Sequence, residues 1–167
     1  MAAMWGGKRD EGFESFFRQA FPRAVTVAQR VLDSRAAAED AAAEALARAY
    51  AEWRSVRELA YREAWVLRVA SNLALDAVRR RKPEPVPPIA PSVEDVATER
   101  VALAAAIRAL PRRQREIVAL RHLAGMSEAE VAGALGLAPG TVKSHGHRAM
   151  TTLRASLGEL AEGRAAS

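Results

Sequence analysis

Apolar positions recur at helical intervals along most of this chain. Phe13, Phe16, Phe17, Ala20 and Phe21 open the pattern, which pauses at Pro22. A second run from Arg23 to Leu32 leads into the polar turn Asp33-Ser34-Arg35. The spacing predicts one helix ending near Pro22, a second over about 23–32 and a third over about 36–53. In the third, Ala41, Ala45, Ala49 and Trp53 recur at i, i+4, i+8 and i+12, an inward stripe. Asp40, Glu44, Arg48 and Glu52 keep the same interval on another face. A fourth helix is predicted over about 62–82, with Val66, Val69, Ala70, Leu73 and Ala77 as its apolar face. Its polar stripe is Arg68, Asn72, Asp76, Arg79 and Arg80, and it ends in the run Arg79-Arg80-Arg81-Lys82.

Glycine and proline divide the chain. No Gly lies between Gly12 and Gly125, and no Pro between Pro22 and Pro83. Such a stretch, rich in Ala, Arg, Glu and Leu, is helical by propensity, and no strand pattern interrupts it. The segment PEPVPPIAP, Pro83 to Pro91, cannot be helix and predicts extended, semi-rigid chain. Ser92 to Ala97 is read as its acidic exit. The expected fold is therefore all-α: two small helical domains, 13–82 and 98–160, joined by a Pro-rich linker over 83–97.

The second domain carries a sharper local signal. Ser127 and Glu130 have the S-x-x-E spacing of a capping box, in which each side chain satisfies an orphan backbone N–H. Val131, Ala132 and Leu135 share one face of the helix that follows. Gly136 ends it, since Gly tolerates the left-handed conformation common at helix C-termini. Pro139 suits the first position of a new helix, with Ala138 as its N-cap and Leu137 and Val142 at the hydrophobic-staple positions. Two short helices joined by a three-residue turn are a helix-turn-helix. Gly146 falls on the inward face of the second helix, at a cost of about 1 kcal/mol relative to Ala.

Thr141, Lys143, Ser144, His145, His147 and Arg148 follow in the first turns of that second helix. They are hydrogen-bond donors with a positive bias, which is what a recognition helix presents to base edges in the major groove. The alternative is a helix hairpin with a solvated basic face. On the fourth helix, Asn72 offers donor and acceptor and the arginines offer forks, which suits bases and phosphates. The terminal cations could equally be capping the helix dipole. Tyr61 and Trp65, beside a loop at 54–60, could stack an unpaired base or be core. The Asp40–Glu44–Arg48 face is either solvated or a docking face for a protein.

Composition narrows the classes. There is no cysteine among 167 residues, hence no disulfide framework or thiolate metal site. The net charge of +5 divides as +4 over 13–82, −3 over 83–100 and +4 over 101–167. Two basic blocks around an acidic spacer point to two surfaces that meet a polyanion. No apolar run approaches membrane-spanning length, and the start MAAMWGGKRDEG lacks a secretory core, so the expected location is cytoplasmic, without membrane insertion. His145 and His147 lie on nearly opposite helix faces and cannot chelate one metal. With no phosphate loop or nucleophile motif either, neither an enzyme nor a metal or other cofactor is expected.

Three segments in order carry a family resemblance. AEDAAAEALARAYAEW (38–53) resembles region 2.2 of the extracytoplasmic-function, or group IV, sigma factors of the sigma-70 family. AWVLRVASNLALDAVRRR (64–81) resembles regions 2.3 and 2.4, and ALPRRQREIVALRHLAGMSEAEVAGALGLAPGTVKSH (109–145) resembles region 4. The resemblance implies that Asp40, Glu44 and Arg48 bind the clamp helices of core RNA polymerase β′. It implies that the stripe with Arg68, Asn72, Asp76, Arg79 and Arg80 meets the −10 element of promoter DNA and helps melt it. Thr141 to Arg148 would read the −35 element, and an anti-sigma factor is a possible further partner. Ala138 and Gly146 depart from the family pattern, where Ser and a larger residue are usual. A LuxR-like helix-turn-helix regulator would share GTVKSH, but would leave the Asn72–Arg81 stripe and the Pro linker unexplained.

Overall fold

The helix that begins at Phe13 does not stop at Pro22. In the computed structural model, which describes residues 12–80 and 91–165 (side chains of the second stretch from 96 to 159), α1 runs Phe13–Gln29 with Pro22 inside it. An interior Pro costs a helix about 3 kcal/mol through a lost hydrogen bond and a ring clash. Packing overrides that cost. Phe16, Ala20, Ala24 and Ala28, at i, i+4, i+8 and i+12, are all buried on one continuous face. Ending the helix at Pro22 would take one half of that face off the core. The two expected helices over 13–32 are thus one.

Helix α2 (Arg35–Ala51) is started by Ser34, whose hydroxyl accepts from the Ala37 N–H at 3.3 Å. Its stripe of Ala41, Ala45, Ala49 and, just beyond it, Trp53 is buried as the spacing predicts. Trp53 opens the one-turn helix α3 (Trp53–Val56), within what reads from sequence as a loop. Its ring stacks on Phe16 at 5.2 Å. Helix α4 (Arg62–Arg80) packs on both α1 and α2. The many fully buried alanines let these three helix backbones approach closely.

Helix α5 (Pro91–Ala109) takes in Ser92 to Ala97, assigned above to the linker. The rest of the proline segment, and Arg81 and Lys82, lie outside the described residues. Helix α6 (Arg112–Val118) widens into a π turn at Ala119–Leu123, where the Ala124 N–H reaches back to the Ala119 carbonyl at 2.9 Å. Helices α7 (Glu128–Leu135) and α8 (Pro139–Ala165) complete the chain. Ile117, Leu120, Val131, Val142, Ala149 and Leu153 are buried among them.

The two halves share one hydrophobic core, and α4 is its centre. It touches α1 and α2 on one side, and α5, the π turn and α7 on the other. This explains a difference from the expected apolar face. Val66 and Ala70 are buried, but so are Leu67, Ala74, Leu75 and Val78, whereas Val69, Leu73 and Ala77 are only half-buried. A helix packed on two sides has no single apolar stripe for periodicity to find.

Candidate nucleic-acid and polymerase interfaces

The helix-turn-helix is assembled from local chemistry. Both bonds of the capping box form: the Ser127 hydroxyl accepts from the Glu130 N–H at 3.2 Å, and the Glu130 carboxylate accepts from the Ser127 N–H at 2.8 Å. Gly136 ends α7 at φ 64°, a left-handed conformation. The Ala138 carbonyl accepts from Thr141 and Val142, so Ala138 is the N-cap of α8, without a side chain to help. Gly146 is half-buried, and a Cβ there would sit 3.7 Å from Ile117, an ordinary contact, so packing does not require the glycine.

The Ser127 backbone N–H, and then its hydroxyl, hold the Glu130 carboxyl below the usual glutamate range. A depressed folded pKa stabilises above the unfolded value of about 4.3, and that contribution is lost as pH falls through the folded one. We expect Ser127→Ala to destabilise the protein by about 1 kcal/mol at pH 7 in urea denaturation. Glu130→Gln keeps an acceptor for the box and should flatten the acid dependence. An unchanged urea midpoint for Ser127→Ala would show that α7 does not need its cap.

On α8, Lys143, Ser144, His147 and Arg148 are exposed together, and Thr141 is half-buried beside them. His145 is turned inward: it is half-buried, and its Nδ1 is shut from solvent with no hydrogen-bond partner. Five of the six expected −35 residues thus remain on or near one open face. Among the described residues no group of His, Cys, Asp or Glu could hold a metal.

Asp40, Glu44 and Arg48 share an exposed face of α2, and Arg48 Nε lies 2.8 Å from Glu44. Such an exposed i,i+4 pair contributes a few tenths of a kcal/mol, so the face owes little to fold stability.

The α4 stripe is arranged differently. Arg79 and Arg80 are exposed, but Arg68, Asn72 and Asp76 line a cleft of about 350 Å³ whose other wall is Arg108, Arg115 and Glu116. Arg68 lies 3.4 Å from the Glu116 carboxylate, and Asp76 pairs with Arg108. Asn72 is half-buried there with no side-chain hydrogen bond among the described residues. Trp65 is half-buried against the core, whereas Tyr61 is exposed.

Three residues of this region were not singled out from the sequence. Glu116 is a buried carboxylate, only 5 % exposed, that gathers Arg112 at 3.2 Å and Arg113 at 2.9 Å as well as Arg68. Its signal was a lone acid at i+3 and i+4 from two arginines. Arg30 donates to the His122 and Leu123 carbonyls at 3.0 and 2.8 Å, satisfying the end of the π turn. Gly133 sits inside α7, where a glycine costs about 1 kcal/mol relative to Ala. The unexplained interior glycine was its signal.

Comparison with known proteins identifies the family of the chain. A model of sigma-70 region 2 matches residues 16–84, and a model of sigma-70 region 4 matches 100–153. The RNA polymerase sigma-E factor of Streptomyces coelicolor is 36% identical over 151 residues, covering 87% of this chain and 85% of its own. The ECF RNA polymerase sigma factor SigM of Mycobacterium tuberculosis is 33% identical over 169 residues, covering 98% and 85%. The solved structure of CnrH in complex with the cytosolic domain of CnrY aligns with a TM-score of 0.56 over 91% of this chain and 94% of that one. At 20% identity that likeness is one of fold. A helix-turn-helix regulator would share only the second match. With both regions matched in order across most of its length, the chain belongs to the extracytoplasmic-function RNA polymerase sigma factors of the sigma-70 family.

Proposed function

We propose that this chain binds core RNA polymerase through the Asp40–Glu44–Arg48 face and directs initiation at promoters with spaced −35 and −10 elements. The start of α8 would read the −35 element in the major groove. The α4 stripe, Arg68 to Arg80, would meet the −10 region and help hold it open. The observation that carries this reading is the open face of α8, where Lys143, Ser144, His147 and Arg148 stand clear of the fold directly after a capped helix and turn. The sites of action would be cytoplasmic. No helix among the described residues is long and apolar enough to cross a membrane. Sigma factors are initiation factors rather than enzymes, and no catalytic role is assigned to any residue here. An anti-sigma factor is a further expected partner; CnrH was captured with the cytosolic domain of CnrY.

The test is run-off transcription with core polymerase, with and without the protein, on genomic fragments of its host. A promoter-specific transcript only in its presence is expected. No such transcript on any fragment would refute the reading.

Lys143 sorts the contacts of α8. If it meets phosphate, Lys143→Ala weakens binding to all duplexes equally and lowers the salt slope by about one. If it meets a base, the loss falls on cognate −35 DNA alone and amounts to about 1–3 kcal/mol. We expect the phosphate result, because Lys offers a flexible point charge rather than a planar fork. Binding titrations on cognate and scrambled duplexes at several salt concentrations decide it.

A further inference from the structure

The cleft between α4 and the start of α6 holds more cation than its own carboxylates neutralise. Arg68, Arg108, Arg112 and Arg115 face two acids, Asp76 and Glu116, so its walls carry a net charge of +2. Both acids are already committed, Asp76 to Arg108 and Glu116 to Arg68 and Arg112. Arg115, on α6, is half-buried and has no carboxylate of its own among the described residues. The side chains of Arg68 and Arg108 are only 25% and 23% exposed. In so partly dry a site a charge attracts an anion more strongly than on open surface.

The other wall, α4, presents the Asn72 amide, also without a partner among the described residues. Val69 and Leu75 add apolar surface to that wall. A cleft of about 350 Å³ lies at the small end of the range that takes small molecules. A guanidinium fork matches phosphate oxygens, and an amide with donor and acceptor matches the edge of a base. A phosphate monoester carries about −1.5 to −2 at pH 7, which walls of +2 balance, whereas a phosphodiester of a nucleic-acid backbone carries about −1.

We propose that this cleft binds a free mononucleotide, with its phosphate on Arg115 and its base edge on Asn72. The site itself does not rest on the promoter reading. One consequence does: Arg68 and Asn72 belong to the stripe assigned to −10 DNA, so a bound mononucleotide and that DNA compete for them.

Isothermal titration of the whole chain with AMP, GMP, CMP and UMP tests the site. Saturable binding of at least one is expected. The matching nucleoside, which lacks the phosphate, and inorganic phosphate, which lacks the base, should each bind about tenfold more weakly or worse. Arg115→Gln should weaken the nucleotide about tenfold, the scale of one lost charged hydrogen bond. Asn72→Asp keeps the shape of the side chain, adds a carboxylate to the cleft and should abolish binding. Arg154→Gln removes the same charge from an exposed position on α8 and should change nothing. Thermal melts check the fold of each variant, and if one of the two cleft variants melts early the other decides. Absence of saturable heat with all of the nucleotides overturns the site. So does inorganic phosphate binding as tightly as the nucleotide, or an equal loss in Arg154→Gln, which would mark general charge attraction. A dinucleoside phosphodiester that binds as tightly as the mononucleotide would make the cleft a nucleic-acid contact and overturn the free ligand. These titrations contain no polymerase, so they stand or fall separately from run-off transcription.

Discussion

Reversing the charges at Asp40 and Glu44 together to arginine is expected to abolish stable binding to core polymerase while leaving the fold intact. Both side chains are exposed on α2, away from the buried Ala41–Ala45–Ala49 stripe, so the substitution disturbs no packing. It removes the Glu44–Arg48 pair, which contributes only a few tenths of a kcal/mol. At an interface the same change counts for far more. Like charges facing each other there cost several kcal/mol, and each 1.4 kcal/mol is tenfold. A loss of about a hundredfold or more in affinity is expected in a titration of labelled protein with core enzyme. The thermal melting of the double variant should stay within a few degrees of the parent. Unchanged affinity would return these residues to a solvated face. Melting lowered along with affinity would show that the face has a structural role that its exposure does not reveal.

Asn72→Ala should impair promoter opening more than promoter binding. In the proposed reading the first hold on DNA belongs to α8 rather than to α4. Opening is a separate cost: a base must leave the stack, at a few kcal/mol, and be held by protein groups. Asn72 is half-buried mid-stripe between Arg68 and Asp76. Its amide can serve a base edge as donor and acceptor, and no protein group claims it among the described residues. That absence of a partner argues against a structural role as a cap or buried pair. Losing a bidentate base contact costs about 1–3 kcal/mol, so open-complex formation on duplex should fall by about tenfold or more. On a template already mismatched across the −10 region most of the defect should vanish. A defect of equal size on both templates would remove Asn72 from melting.

What the sequence determined by itself lies within a few residues along the chain. The capping box at Ser127 and Glu130, the left-handed stop at Gly136 and the proline start of α8 depend on bonds spanning three or four positions. The alanine stripe of α2 depends on helical period alone. Those features are legible because nothing distant can cancel them cheaply, and they were enough to mark the helix-turn-helix.

Only the tertiary structure decided the rest. Pro22 reads as a stop, yet α1 passes through it, because four buried residues on one face outweigh one lost hydrogen bond. The period of α4 shows one polar stripe, yet the helix is packed on two sides, and Arg68 and Asp76 of that stripe pair with residues about 30 to 50 positions away. Gly133 looks like a weakness in α7 until the ring of Tyr61, 72 residues earlier, is seen in its place. Such contacts leave no periodic trace, since the two partners follow separate local rules. Their meeting is set by how helices pack, which a linear pattern of apolar and polar positions does not encode.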